Sequence, residues 1–166
     1  MVKTKKVMVD ANVLLTIILE ESLCEKCKEN LDSLIENGEK IYLTPIIIQE
    51  IMDRIDDELK KQGGYRREMV EKINRQQRNR FLFALKKYFD KSEILSAEGG
   101  DFNDLNETCH RELSRIGKNE FNDKLNIAIA ISNSCTDFLT KDKGIIGESK
   151  NVKKISNNKL NIWSIR

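Results

Sequence analysis

The sequence predicts an α/β fold in which a mostly parallel sheet of about five strands lies between two layers of helices. Short apolar runs recur along the chain, and segments with helical spacing separate them. The runs are KVMVD at 6–10, IYL at 41–43, SEIL at 92–95, DFLT at 137–140 and LNIWSI at 160–165. Because helical crossovers join the neighbouring strands of a parallel sheet, this alternation predicts a three-layer α/β/α architecture. The length of 166 residues suits a single domain over residues 1–166.

The first half of the chain carries start and stop signals for its helices. KVMVD is a continuous apolar run, which is typical of a strand buried on both faces. Helical spacing follows over 11–21 and again over 23–38, where Gly38 provides a stop signal. Thr44 and Pro45 then predict a helix start, with Thr as the N-cap and Pro at the first helical position. The buried stripe of that helix repeats every four residues through Ile47, Ile51, Ile55 and Leu59.

The second half of the chain predicts further helices around the remaining strands. One helix is expected over 65–89 and another over 104–117. The segment 122–134 has an apolar band too wide for a surface helix, so we expect a largely buried helix with Asn122 as its N-cap. One short helix is expected between the last two strands.

Composition restricts the classes of function. The longest apolar stretches fall far short of the ~20 residues that span a membrane, and the opening segment lacks the apolar region of a signal peptide. We therefore expect a cytoplasmic protein with no membrane partner, in which the four cysteines are reduced thiols. The single histidine excludes mechanisms that need two imidazoles, and no P-loop, dinucleotide-binding or serine-hydrolase motif is present. If the protein is an enzyme, its chemistry must rest on carboxylates.

A zinc site is a weaker alternative. Cys24 and Cys27 have ligand-like spacing, and Cys109 with His110 could complete a set of four ligands. Cys24 and Cys27 also lie three apart on a predicted helix, where cysteine is often a small buried apolar residue. His110 lies in a polar helical segment, which is more typical of a surface residue than of a general base.

Four acids are expected at the carboxyl edge of the sheet, where open α/β folds place their sites. Asp10 and Asp142 directly follow strands. Asp123 lies in the first turn of a helix, and Glu50 lies in the second turn of another. Structural roles are open for three of them, namely a helix N-terminus for Asp123, a turn for Asp142 and an ion pair with Arg54 for Glu50. Asp10 resists such an explanation, because a carboxylate close to an apolar core is costly unless it is paired or bound to a metal.

Together the four acids indicate a divalent cation. Converging carboxylates without an equal number of cations repel one another, and a bound cation removes that repulsion. Because oxygen ligands without His or Cys favour hard ions, the predicted cofactor is Mg²⁺ or Mn²⁺. Such ions hold a phosphodiester, lower the pKa of a bound water and stabilise the leaving oxygen.

The motifs, taken in order, resemble those of the PIN-domain nuclease family. They are DANVLL after the first strand, an acid early in the helix after strand two, DKLNIAIAI, and DFLTKDK, and they span about residues 5–146. The resemblance implies a PIN-like fold in which four acids bind Mg²⁺ or Mn²⁺ for the hydrolysis of RNA: Asp10, Glu50, Asp123 and Asp142. It also implies that Asn12 assists the first acid, and we expect Thr140 to help order the site.

A basic stretch between Lys60 and Lys91 contains eleven Lys and Arg against three Asp and Glu, a local net charge of +8 in a chain of net +2. We interpret it as a helical elaboration of the domain at about 60–91. It is longer than the corresponding segment in the small toxin members of the family. Five of its arginines are predicted to contact RNA: Arg66, Arg67, Arg75, Arg78 and Arg80. An antitoxin partner is expected if the chain is a toxin-type member, and a homodimer is a further expectation.

Two other functions are compatible with these motifs. A PIN-like RNA-binding or assembly module would keep the fold without cleaving RNA, although all four acids are retained here. A haloacid-dehalogenase-like phosphatase also uses an aspartate after strand one, but it needs a D-x-D pair and the second position here is Asn12. The preferred hypothesis is a metal-dependent endoribonuclease that hydrolyses RNA phosphodiester bonds.

Overall fold

A computed structural model describes residues 4–61, 67–97, 99–117 and 120–165, and the side chains of 67–74 lie outside this description. The strands are β1 (Lys6–Val9), β2 (Lys40–Leu43), β3 (Ser92–Ile94), β4 (Asp137–Thr140) and β5 (Asn161–Ser164). The helices are α1 (Ala11–Ile18), α2 (Cys24–Glu36), α3 (Pro45–Lys61), α4 (Arg67–Phe89), α5 (Phe102–Glu112), α6 (Phe121–Ser132), α7 (Lys143–Gly147) and α8 (Ser149–Ile155).

The described strands form one five-stranded sheet with the order β3-β2-β1-β4-β5, and every neighbouring pair is parallel. Because crossovers between parallel strands are right-handed, the strand order puts the helices that lead to β2 and β3 on one face, and those that lead to β4 and β5 on the other. Helix contacts agree with two layers, since α1 packs on α2, α3 and α4 whereas α5 packs on α6 and α8. The predicted α/β/α class with a parallel central sheet is confirmed.

The apolar runs and stripes of the sequence form the core. Met8 in β1 and Phe138 in β4 are fully buried, as expected for central strands with helices on both faces. The predicted stripe of α3 is buried along its whole length: Ile47, Ile51, Ile55 and Leu59. Within the described ranges, no helix is long and apolar enough to cross a membrane.

The strand order reverses between β1 and β4, and this reversal creates the crevice of the sheet. From β1 the chain passes to β2 on one side, and later returns to β4 on the other side. Open α/β sheets bind their ligands in such a crevice, at the carboxyl ends of the strands. The residues that follow β1, β2 and β4 are Asp10, Thr44 and Lys141, so these positions share one edge of the sheet.

Thr44 joins the edge of the sheet to two helices. Its hydroxyl accepts a hydrogen bond from the backbone N–H of Ile47 at 3.1 Å, so it caps α3 as predicted. The same hydroxyl donates to Oδ1 of Asn126 on α6 at 2.7 Å, and both side chains are fully buried. This contact fixes α3 relative to α6 across 82 residues of sequence.

Three expectations about the helices are wrong. The helix after α5 begins at Phe121 with Glu120 at the N-cap position, not at Asn122. α5 ends at Glu112 rather than near 117, because Leu113 and Ile116 turn inward and are buried. Two short helices, α7 and α8, rather than one, connect β4 to β5.

Replacing Thr44 by Val is expected to lower the free energy of unfolding by about 2 to 4 kcal/mol. Val keeps the volume but removes a helix cap, worth about 1 kcal/mol, and leaves the buried Asn126 carbonyl without its donor, which costs about 1 to 3 kcal/mol. Urea denaturation followed by circular dichroism measures the change. Thr108→Val is the matched control, because among the described residues that hydroxyl bonds only to a carbonyl of its own helix, Asp104 O. Equal effects of the two substitutions would contradict the proposed link between α3 and α6.

Candidate active site

Asp10 lies at the point where β1 ends and α1 begins. Its backbone is extended, with φ −71° and ψ 148°, and its N–H donates to the carbonyl of Leu139 in β4 at 3.0 Å. The side chain is 3% exposed. Its Oδ2 accepts hydrogen bonds from Thr140 Oγ1 at 2.6 Å and from Asn12 Nδ2 at 2.7 Å. Among the described residues none donates to Oδ1, so one oxygen is fixed and the other can contact a ligand.

Asn12 and Thr140 extend this contact into a network between the ends of β1 and β4. The Asn12 amide also donates to Thr140 Oγ1 at 3.2 Å, while its carbonyl accepts from the backbone N–H of Lys141 at 3.2 Å. Thr140 Oγ1 in turn accepts the backbone N–H of Asp142 at 2.9 Å. The two side chains therefore set the position of both the first and the last acid.

Asp142 is the N-cap of α7. Its Oδ1 accepts the backbone N–H of Ile145 at 2.9 Å, which fixes the carboxylate at the carboxyl end of β4. Gly144 allows this arrangement, because a Cβ at that position would lie 3.0 Å from Asp142 Oδ1 and 3.5 Å from the carbonyl of Arg115. A larger residue at position 144 would displace either the acid or the loop beside it.

Glu50 and Asp123 come from the two helices that the Thr44–Asn126 contact holds together. Glu50 lies in the second turn of α3 and is partly exposed. Asp123 lies in the first turn of α6, one turn before Asn126, and is also partly exposed. The backbone thus brings one acid from each of four segments towards the crevice between β1 and β4.

The four acids act on one another electrostatically. Burial raises the pKa of Asp10 to about 7, the hydrogen bond from Thr140 opposes this rise, and the charges of Asp123, Glu50 and Asp142 add to it. The pKa of Asp123 also rises to about 7, first through burial and then through the charges of Glu50, Asp142 and Glu120. Burial alone raises the pKa of Glu50. The site therefore accumulates negative charge that no neighbouring cation balances within the described ranges.

Lys141 lies between Thr140 and Asp142, but another acid neutralises it. Its Nζ contacts Glu21 Oε2 at 2.6 Å, and that hydrogen bond is the main reason why the pKa of Glu21 is lowered. Thr16 also donates to this carboxylate, at 3.3 Å. The ion pair holds the ammonium group at the rim and leaves the four acids without a partner of opposite charge.

The donor set fits a hard divalent cation. All four candidate ligands are carboxylates, the type of ligand that Mg²⁺ and Mn²⁺ prefer, and their mutual repulsion is the electrostatic condition that a bound cation relieves. Among the described residues, no three His, Cys, Asp or Glu side chains are already grouped closely enough to hold an ion. The acids share an electrostatic environment without forming a ready-made cage.

The PIN domain family model matches residues 7–147, a range that contains all four acids. The chain belongs to the PIN domain family. Members of this family are generally nucleases. A search of curated proteins gave no match. Among solved structures, the chain is similar to one in the crystal structure of VapBC2 from Rickettsia felis bound to a DNA fragment from their promoter. The TM-score is 0.56 at 20% identity, with 96% of this chain and 99% of that chain covered, so this likeness supports the fold.

Within this PIN domain, one of the structural alternatives loses its support. Arg54 pairs with Glu58 at 3.5 Å rather than with Glu50. Asp53, one turn from Glu50, is exposed and accepts a hydrogen bond from Gln49 at 2.7 Å. Of the acids on α3, Glu50 is the one whose charge acts on Asp10 and Asp123.

The cysteines are free thiols, and the described residues give no zinc cluster. Cys27 and Cys109 are fully buried, and burial raises the pKa of each thiol to about 11. His110 is not an isolated surface residue, because its ring stacks on Phe121 at 4.4 Å. These cysteines therefore behave as small apolar core residues.

The arginines of the basic stretch differ in how they are placed. Arg66 lies outside the described residues, and Arg67 begins α4 without a described side chain. Arg75 is exposed. Arg78 contacts Asp56, and Arg80 lies 3.9 Å from Glu20. Acidic neighbours thus offset part of the positive charge that the sequence places on α4.

Sequence reasoning missed the contacts that support the acids from outside. Asn126 is a polar residue inside an apolar helix band, and that interruption was the signal that could have identified its role. The Lys141–Glu21 pair joins positions 120 residues apart, so no local sequence pattern predicts it. Thr16 donates to the carbonyl of Asn12 at 2.7 Å, which adds a further support behind the site.

Asp10→Asn is expected to raise the melting temperature of the metal-free protein by roughly 3 to 10 °C at pH 8. Asn can accept the same two hydrogen bonds but carries no charge, and each 1 kcal/mol gained raises the melting temperature by about 2 to 4 °C at this size. The pKa of Asp10 is about 7 in the folded state, above the ordinary value of 3.8. The parent therefore loses stability as the pH rises from about 4 to about 7, and the advantage of the variant should shrink towards pH 5.

Thermal unfolding in EDTA at pH 5, 6, 7 and 8 measures this difference. Asp53→Asn is the matched control, because it removes an exposed acid from the same helix as Glu50. It should not reproduce the pH-dependent gain. An Asp10→Asn protein that is less stable than the parent at every pH would make Asp10 a structural residue.

Proposed function

We propose that this PIN domain is a Mg²⁺- or Mn²⁺-dependent endoribonuclease that hydrolyses RNA phosphodiester bonds. The observation that carries the proposal is the placement of Asp10, a 3% exposed carboxylate that two hydrogen bonds orient at the crevice of the sheet. Three further acids act on it electrostatically. A purely structural role would not explain why four like charges gather where the strand order reverses.

In this proposal the catalytic acids are also the metal ligands: Asp10, Glu50, Asp123 and Asp142. A bound divalent ion would supply a water of lowered pKa and stabilise the negative charge on the leaving oxygen. Asn12 and Thr140 orient Asp10 by holding its Oδ2, so that Oδ1 faces the ligand. The N-cap hydrogen bond to Ile145 orients Asp142 in the same way. Glu50, on the partly exposed side of the site, completes the ligand set or orients water.

The basic stretch supports RNA as the substrate. The acids of the site cannot attract a polyanion, so cations elsewhere must provide the attraction. Arg66, Arg67 and Arg75 are the proposed phosphate contacts, while Arg78 and Arg80 share their charge with Asp56 and Glu20. We propose that the segment at about 60–91 is an RNA-binding elaboration of a single domain over residues 1–166.

The purified protein is expected to cleave single-stranded RNA or exposed loops with Mg²⁺ or Mn²⁺, and EDTA should abolish the cleavage. Because activated water attacks the phosphorus, the products should carry 5′-phosphate and 3′-hydroxyl ends. Gel analysis of labelled RNA, followed by phosphatase and ligase treatment of the products, identifies the ends.

Two variants test the assignment of the acids. Asp142→Asn keeps a side-chain oxygen that can cap α7 but removes a proposed ligand charge, and should lower kcat/KM by at least about 100-fold, since such ligands stabilise transition-state charge. Asp53→Asn should leave the rate unchanged. Products with 2′,3′-cyclic phosphate ends would show that the ribose hydroxyl attacks, and the mechanism proposed here would be wrong.

Replacing Arg66, Arg67 and Arg75 with Ala is expected to weaken RNA binding and flatten its salt dependence. Each lost phosphate contact lowers the slope of log K against log salt by about 0.7 for a single strand. Fluorescence anisotropy at several salt concentrations measures the slope. The control is a triple Ala variant of Lys150, Lys153 and Lys159, which removes the same charge from exposed positions on and beside α8. An equal loss of RNA affinity in both variants would show that net charge alone causes the effect, and not these arginines.

The likeness to a chain of VapBC2 supports a protein partner for this PIN domain. We propose that the chain pairs with a small antitoxin encoded next to its gene, and that it associates as a homodimer in that complex. Co-expression with the product of an adjoining reading frame, followed by light scattering, tests both statements. A protein that stays monomeric and unbound in the presence of that product would contradict both the proposed partner and the proposed homodimer.

A further inference from the structure

We propose that Phe121, stacked on His110, is a platform on which one unpaired base of the RNA substrate stacks. This inference rests on the proposed nuclease function and goes beyond it, because it assigns a substrate-positioning residue outside the four acids. It also specifies the substrate as a strand whose bases are free, since a paired base cannot offer its face to a side chain.

The Phe121 ring is exposed yet held in place. Phe121 is the first residue of α6 and is 53% exposed, one of few large apolar side chains at the surface of the described ranges. His110 of α5 stacks on it with ring centroids 4.4 Å apart and an angle of 25° between the planes. One side of the ring is therefore covered while more than half of the side chain stays open. A ring that is already fixed loses little conformational entropy when a base stacks on it.

The support beneath the ring is a histidine whose neutral form is favoured. Burial and then the charge of Lys124 lower the pKa of His110. Nε2 of His110 is buried without a hydrogen-bond partner among the described residues. Lys124 itself is 6% exposed, and its Nζ lies 3.5 Å from the carbonyl oxygen of His110. Lys124 thus faces the backbone beneath the rings, and the surface offered to a ligand is the aromatic face, which suits a base.

The platform lies at the same helix end as one of the candidate ligands. Asp123 is two residues beyond Phe121, in the first turn of α6. Residues two apart on a helix lie on different faces, so the ring faces α5 while the acid faces the crevice and α3. Because only two residues separate the two positions, we infer that a strand bound at the acids reaches the ring with a nearby base. The carboxylate of Glu120 does not block this path, because it accepts the backbone N–H of Gly117 at 2.6 Å.

The size of the apolar surface favours a base over a protein partner. A stable protein interface buries about 800 Å² on each side, whereas the chain neighbours of Phe121 are the polar Glu120 and Asn122. A single exposed ring is too small for such an interface, but it is the size of surface that one base covers. Stacking on an aromatic side chain contributes about 5- to 100-fold in affinity per base.

The experiment measures binding of a short unpaired RNA with non-hydrolysable linkages, by fluorescence anisotropy in Mg²⁺. An abasic position is moved along the oligonucleotide one nucleotide at a time. Four proteins are compared: the parent, Phe121→Leu, Phe121→Trp and Ile94→Ala. Ile94 is the control, because it is a large apolar residue of β3 that is 54% exposed and lies outside the basic stretch.

The parent should lose about 5- to 100-fold in affinity at one abasic position. Phe121→Leu should lose a similar factor on intact RNA and show no further loss at that position, while Phe121→Trp should behave as the parent does. Ile94→Ala should also match the parent. Since only the ring is removed in Phe121→Leu, this pattern distinguishes stacking from a general effect on folding.

Three results would overturn the proposal. The first is a parent protein whose affinity depends on no single base, which decides the question even if the Leu variant fails to fold. The second is a Phe121→Leu variant that binds intact RNA as tightly as the parent. The third is a variant that changes only the oligomeric state in analytical ultracentrifugation, which would assign the ring to a protein contact. If the parent cleaves RNA in any of these cases, the platform fails while the nuclease function stands; a parent that neither binds nor cleaves RNA refutes both.

Discussion

The parallel pairing of β1 with β4 is the constraint on which the candidate site depends. Val9 lies opposite Leu139, so the two chains leave the sheet side by side and the hydroxyl of Thr140 reaches Oδ2 of Asp10. A shift of one residue in this register would turn each side chain to the other face of the sheet and break that contact. The geometry of the first acid is therefore determined inside the core, by strand pairing, and not by the loops at the surface.

Much of the candidate site follows from patterns that are local in the sequence. Asp10 and Asp142 end apolar strands, and the rule that parallel strands share a carboxyl edge is enough to bring them to one region. Helix phase then separates Glu50 from Asp53, because Glu50 follows the buried Ile47 by three residues and precedes Ile51 by one. The fold is predictable for the same reason, since each apolar run and each helix stripe is a contiguous segment.

Other parts depend on partners that are distant in the sequence. The local count of +8 in the basic stretch does not reveal that Arg78 contacts Asp56 or that Arg80 lies near Glu20. The role of Asn126 depends in the same way on a threonine 82 residues earlier. A sequence gives the number of charges and polar groups, whereas their compensation depends on the packing of α3, α4 and α6.

Glu148 attaches the connection between α5 and α6 to the segment that follows β4 at the edge of the sheet. Its side chain is 1% exposed, and its carboxylate accepts the backbone N–H of Arg115 and the side-chain amide of Asn151. Beside it, Gly147 leaves room for the Arg115 side chain, whose Cδ would lie 3.5 Å from a Cβ at that position. The backbone near residue 115 is thus fastened to Glu148 at the junction of α7 and α8. This junction is four residues after Gly144, which lies beside the Asp142 carboxylate. The length of that connection is therefore more constrained than its side chains. An inserted residue would displace α7, whose N-cap is Asp142.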